Sequence, residues 1–245
     1  MLASRLLERS LMDINELQHE WNQFGEIDPL WSILTEPDKK GNKWQADEFF
    51  KTGVEEVDAV IRHIESLGLN TERRKALDFG CGVGRLTQAL ANYFDEVDGV
   101  DIAPSMIERA NKFNSHGDRC RYYLNETDDL KLFADNRFDL IYTNITLQHI
   151  APRYSKNYIK EFVRILIPHG VLIFQQPSEP ILEARGDKPG TKSPNQPRME
   201  MYGIKPEEVV ASLEAHGAKI VDVVQDQTQP APQDWVSFRY CVTKE

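Results

Sequence analysis

The chain has 245 residues, 40% of them hydrophobic and 28% charged, with a formal net charge of −10 at pH 7. That length and apolar content suffice for one sizeable packed domain with additions. The acidic balance argues against a nucleic-acid surface, which a basic patch ordinarily marks. No apolar run approaches the roughly 18 residues of a membrane helix, and Arg5, Glu8 and Arg9 interrupt any signal-peptide core. Cys81, Cys120 and Cys241 have no metal-ligand spacing and read as reduced thiols of a cytoplasmic protein.

In chain order, Leu7, Leu11, Ile14, Leu17 and Trp21 share a face, which predicts an amphipathic helix over residues 3–22. Residues 23–53 look irregular yet carry Trp31, Trp44, Phe49 and Phe50, aromatics that need a surface to cover. Val54, Val57, Ile61, Ile64 and Leu67 predict a helix over 54–67 with Gly68 as its stop. Residues 1–53 are therefore expected to form an N-terminal helical and aromatic cover, and residues 54–245 the main domain.

Residues 76–90 read ALDFGCGVGRLTQAL. A short strand ends near Asp78, Gly80, Gly82 and Gly84 follow, and Leu86, Ala89, Leu90, Tyr93 and Phe94 then recur at helical spacing. Strand, glycine turn and helix make the first crossover of an open α/β sheet, whose turn faces the ligand crevice. A dinucleotide fingerprint G-x-G-x-x-G needs its third glycine at position 85, which is Arg85. The acid two residues before the first glycine opposes a pyrophosphate and suits a ligand with an amino group and no phosphate. Residues 96–101 form the second strand and end in Asp101, nineteen residues after Gly82 (101 minus 82). An acid there accepts hydrogen bonds from both hydroxyls of a ribose.

Pro104 opens a helix with Ala103, Met106, Ile107, Ala110 and Phe113 on one face. Residues 119–124 predict a third strand and residues 138–143 a fourth. A helix follows, with Tyr158, Ile159, Phe162, Val163 and Leu166 inward, then a Pro168-His169-Gly170 turn and a fifth strand over 171–176. Residues 177–203 are proline-rich and long for a loop, which reads as a substrate-recognition segment or as a passive surface excursion. Its Arg185, Lys188, Lys192 and Arg198 either meet an anionic acceptor or are solvated charges. A helix over 206–217 and two last strands, joined by a proline-rich loop containing Trp235, complete the chain.

With Asp78, the glycine turn and Asp101 in place, the sequence closely resembles the class I S-adenosylmethionine (SAM)-dependent methyltransferases, strongly over residues 75–176 and loosely elsewhere. The resemblance implies a Rossmann-like α/β fold. Its seven-stranded, mostly parallel sheet would have an antiparallel last strand and helices on both faces. It implies SAM as cofactor and S-adenosylhomocysteine as product. The implied contacts are Asp78, Gly80, Cys81, Gly82, Gly84 and Arg85 in the turn, then Asp101, Ile102 and Met106, and Asn144 after the fourth strand. Asp128 or Asp129 would edge the adenine. His149 would lie beside the sulfonium, either as base for a hydroxyl acceptor or as a structural partner. No acid cluster with metal spacing appears, so no metal is expected. The implied function is methylation of a small molecule such as a sugar or secondary metabolite, with a homodimer possible and neither nucleic acid nor membrane as partner. Rival readings are an RNA or protein methyltransferase, a non-catalytic SAM-binding regulator, and a nicotinamide oxidoreductase, against which Arg85 and Asp78 argue.

Overall fold

The computed structural model describes residues 11–180, 197–226 and 235–245. Its centre is a seven-stranded sheet made of β1 (Lys75–Phe79), β2 (Glu96–Asp101), β3 (Cys120–Leu124), β4 (Phe138–Thr143), β5 (Leu166–Pro180), β6 (Ala218–Gln225) and β7 (Trp235–Lys244), in the order β3-β2-β1-β4-β5-β7-β6. The β7 strand runs antiparallel to both neighbours, while the other pairs are parallel. Strand order reverses between β1 and β4, the place where open α/β sheets bind ligands.

Helices cover both faces. One core joins α3 (Ala46–Ser66) and α4 (Arg85–Leu90) to the sheet through Val57, Ile61, Leu90, Leu140 and Ile173. The other joins α6 (Pro152–Ile165) and α7 (Pro206–Ala215) to it through Ile159, Phe162, Leu213, Phe174 and Tyr240. The α5 helix (Pro104–Phe113) follows β2 and opens on Pro104, as the sequence predicts.

The N-terminal elements depart from expectation in their boundaries. The first helix, α1, spans Ile14–Ile27 rather than 3–22, and residues 1–10 lie outside the described residues. A capping box sets its start: Asp13 Oδ1 accepts from the backbone of Asn15 and Glu16 at 2.9 and 2.8 Å, and Glu16 Oε2 accepts from Asp13 N at 3.0 Å. Leu11 therefore precedes the helix and is exposed. The stretch read as irregular holds a short helix, α2 (Pro29–Ile33), opened by Pro29. The α3 helix begins at Ala46 rather than at residue 54 because Phe49 and Gly53 extend its buried stripe, while Val54 turns outward.

Two further boundaries move. The Pro168-His169-Gly170 segment is an irregularity inside β5 rather than a turn before it: Phe138 pairs with Leu166, but Leu140 pairs with Val171. His169 takes a left-handed φ of 63° to absorb the extra residues. Trp235 is the first residue of β7, opposite Pro180, rather than part of the hairpin loop.

Candidate functional site

Past β1 the chain turns against β2. Gly80 N and Cys81 N both donate to Val100 O, at 2.8 and 3.0 Å. Gly80 has φ 74° and backs onto Thr146 so closely that no Cβ fits. Gly82, at φ 51°, donates its N–H to Asp101 Oδ2 at 2.9 Å, and Asp101 Oδ1 accepts from Ala103 N at 2.9 Å. The acid at the end of β2 thus fastens the glycine turn to the start of α5. A carboxylate has about four acceptor positions, so capacity remains for a ligand's hydroxyls. Burial raises the Asp101 carboxyl above its ordinary range, although backbone donors oppose that.

This turn is one wall of an open cavity with about 880 Å³ of empty space, solvent at its mouth included. Gly80, Cys81, Gly82, Arg85, Asp101, Ile102, Met106, Asn144 and His149 line it, so most of the residues singled out in the sequence meet there. Four do not. Gly84 caps α4 in a left-handed conformation and leaves room for the Tyr122 hydroxyl behind the turn. Asp128 is exposed, and its backbone oxygen accepts from Asn157. Asp129 pairs with Lys131 Nζ at 2.6 Å. In their place Asn125, directly after β3, lines the cavity, its amide held by the carbonyls of Thr127 and Asp129. A polar residue just past a strand whose end pairs with Asp101 was the available signal.

Asp78 is the fourth. It lies beneath the turn, 1% exposed, with Thr87 Oγ1 donating to Oδ2 at 2.6 Å and Oδ1 lacking a partner among the described residues. Burial pushes its carboxyl up to about 7. A folded-state pKa above the unfolded value means that the folded form binds the proton more tightly. Stability from this group is full below about pH 4 and declines as pH rises toward about 7. Asp78→Asn should cancel that decline. Denaturant unfolding at several pH values should show the variant gaining on wild type as pH rises, by on the order of a few kcal/mol. Parallel stability curves would refute this.

The opposite wall comes from the N-terminal elements. Leu17 and Trp21 of α1, and Ser32 and Ile33 of α2, line the cavity. The α1 helix is pinned across α5: Gln18 Nε2 donates to Ile102 O at 3.2 Å, Ser105 N donates to Asn22 Oδ1 at 2.9 Å, and Arg109 Nε donates to Gly25 O at 2.7 Å. The segment after β5 holds it from the other end. Arg198 Nε pairs with Glu20 at 2.6 Å and Nη2 with Glu16 at 3.3 Å. Arg198 is thus neither an anion site nor a solvated charge. Arg185, Lys188 and Lys192 lie outside the described residues.

His149 sits on a single 3₁₀ turn after β4, 7% exposed, with its ring 5.2 Å from that of Trp21. Its Nδ1 is 2.8 Å from Glu200 O, a contact that requires Nδ1–H as donor. Nε2 is then an acceptor, and Gln148 Nε2 donates to it at 3.0 Å. Burial pushes the imidazole down to about 4. Both nitrogens are committed and the ring is held neutral.

An open α/β sheet with a glycine turn and a strand-end acid at its switch point defines a nucleoside-binding class of protein. Residues 77–174 match the methyltransferase domain family. A sterol 4-C-methyltransferase of Caenorhabditis elegans is 35% identical over 106 residues, which are 42% of this chain and 31% of that one. A ubiquinone biosynthesis O-methyltransferase of Cereibacter sphaeroides is 28% identical over 153 residues, 62% of this chain and 56% of that one. The chain thus spans little more than half of these curated relatives, or less. The structure of magnesium protoporphyrin IX methyltransferase from Synechocystis PCC 6803, with bound S-adenosylhomocysteine, superposes with a TM-score of 0.66 at 18% identity, covering 95% of this chain and all (100%) of that one. A SAM-dependent methyltransferase from Clostridium acetobutylicum gives 0.60 at 20% identity, covering 91% and 98%. Residues 77–174 thus match a methyltransferase domain, and the chain as a whole has the fold of these SAM-dependent methyltransferase structures.

Proposed function

We propose that this protein transfers a methyl group from SAM to a small molecule with an apolar body and releases S-adenosylhomocysteine. The observation that carries the reading is the junction of Gly82 and Asp101 at the cavity wall: a turn without the third dinucleotide glycine, fastened to an acid with acceptor capacity to spare. The cavity fits the cofactor on its own terms. Asp101 suits the ribose hydroxyls, Asn125 lies on the same side, and a buried Arg85 Nε without a partner among the described residues suits a carboxylate.

When bound, SAM supplies a methyl group on a positively charged sulfur, open to in-line displacement. The chain's own work is to hold and orient. The acceptor is placed by the walls of the cavity, and Leu17 and Trp21 of α1 exclude water. Those walls, with Ile33, Ile145 and Ile150, favour an apolar acceptor over the sugar also considered. Three of the curated relatives carry names that refer to a sterol, ubiquinone biosynthesis and tocopherol, and another carries one that refers to phosphoethanolamine. Among the described residues no helix is long and apolar enough to cross a membrane, and we take the cytoplasm as the place of action. Methyl transfer from labelled SAM across a library of ring-containing lipophiles and sugars tests the reading. Turnover confined to the sugars would reject the apolar acceptor, and no SAM binding would reject the whole.

With both nitrogens committed, we infer that His149 serves as a structural partner rather than in proton transfer. Turnover of His149→Ala should stay within about tenfold of wild type, whereas loss of a general base costs roughly a hundredfold or more. The wild-type rate should show no limb from this residue between about pH 6 and 8, where an unperturbed imidazole titrates. A limb in that range that vanishes in the variant would restore the base.

A further inference from the structure

The α3 helix carries a carboxylate that the reading above leaves unused. Glu56 has a side chain only 16% exposed. Its Oε1 accepts from Tyr142 Oη and from Asn144 Nδ2, both at 2.8 Å, and its Oε2 pairs with Arg85 Nη2 at 2.8 Å. One acid therefore ties α3 to β4, to the segment after β4, and to the helix that follows the glycine turn.

Both ends of that network reach the cavity. Arg85 is 3% exposed and is the one Lys or Arg among the described residues that line it. Its Nη1 reaches Thr52 Oγ1 at 3.3 Å, while Nε is buried with no partner among the described residues. Buried donors are ordinarily satisfied, so a buried guanidinium at a cavity wall with one N–H unsatisfied points to an anionic group on the ligand. On the other side, Asn144 Oδ1 accepts from Ile145 N at 3.1 Å, and Thr146 Oγ1 donates to Asn144 O at 3.1 Å. Ile145 has φ 51°, a left-handed conformation that a β-branched residue rarely adopts. Such strain persists where the surroundings over-determine it, and the Glu56–Asn144 bond is part of that surround.

We propose that Glu56 is a positioning residue for the amino-acid end of the bound nucleoside: it sets the Arg85 guanidinium for the ligand's carboxylate and, through Asn144, holds the strained Ile145 turn. This rests on the reading of the cavity as a SAM site. Glu56 does not line the cavity, so it acts through those two neighbours. Arg85 is the charge that a carboxylate selects, and Glu56 is what fixes its direction.

Two ligands separate this role from general support. S-Adenosylhomocysteine has the amino-acid end; 5′-deoxy-5′-methylthioadenosine lacks it and keeps the nucleoside. In Glu56→Gln the amide oxygen still serves Tyr142 and Asn144, but an N–H donor faces the Arg85 Nη2 donor. Calorimetry should show S-adenosylhomocysteine weakened about tenfold, as for one lost charge-assisted contact, with methylthioadenosine unchanged. Glu56→Asp, which keeps the charge and shortens the reach, should show the same selective loss, and the E56Q/R85Q pair should be no weaker than R85Q alone. Equal weakening of both ligands, no weakening of either, or additive losses in the pair would overturn the role of Glu56. A wild-type protein that binds neither ligand would overturn the cavity reading itself, and this proposal with it.

Discussion

Gly82→Val is expected to leave no measurable binding of SAM or S-adenosylhomocysteine in a protein that still folds. Gly82 has φ 51°, and a Cβ there would meet Ile33 Cδ1 at 2.5 Å. Left-handed backbone costs an ordinary residue about 1–2 kcal/mol, and a β-branched one is the worst placed to accept it. Relief by rotating the peptide moves the N–H that donates to Asp101 at 2.9 Å, a charge-assisted bond contributing roughly 1.5–3 kcal/mol. Together these amount to a loss of about a hundredfold to a thousandfold in affinity, before the added methyls fill any of the cavity. The two larger cores do not include Gly82, so thermal unfolding should remain cooperative with a modest fall in midpoint. Normal calorimetric affinity in the variant would mean that the turn is not the cofactor site.

What the sequence disclosed is what is local. The strand over 96–101, the glycine turn and the helix opened by Pro104 each carry their signal within about a dozen residues, and β2 and α5 stand where that signal puts them. The same locality explains the errors. Leu11 continues the apolar period of α1, but the reciprocal bonds of Asp13 and Glu16 decide where that helix begins. Pro168, His169 and Gly170 have the composition of a turn, yet the pairing of Leu166 and Val171 with β4 on either side keeps the segment within β5.

The cavity wall made by the glycine turn was legible in the sequence, and the walls made by tertiary contacts were not. Asp128 and Asp129 were candidates because they are acids in the right interval, whereas the cavity is met by Asn125, whose amide is turned by two carbonyls further along. His149 stood out by position, but its protonation is set by Gln148 beside it and by the carbonyl of Glu200, which no periodicity reveals. Glu56 looks like one more charge on an amphipathic helix until Tyr142, Asn144 and Arg85 arrive around it.

Asp101→Ala should weaken SAM binding by about one to two powers of ten. The ribose hydroxyls lose a charged acceptor, at roughly 1.5–3 kcal/mol for such a bond and 1.4 kcal/mol per tenfold. The structure adds a second consequence. Asp101 also receives the N–H groups of Gly82 and Ala103, each at 2.9 Å, so its removal leaves two backbone donors unpaired and loosens the turn itself. Asp101→Asn removes the charge and keeps the shape. Its amide oxygen can serve one of those N–H groups, but its NH₂ must face the other, donor against donor. The variant should therefore bind no better than Asp101→Ala despite keeping the shape of the wild-type side chain. Its loss should extend to adenosine, which has the ribose and lacks the amino-acid end, whereas Glu56→Gln should spare that ligand. Calorimetry with SAM and adenosine on both variants decides the matter. If Asp101→Asn binds like wild type, the carboxylate neither reads the ribose nor is needed to fasten the turn for binding.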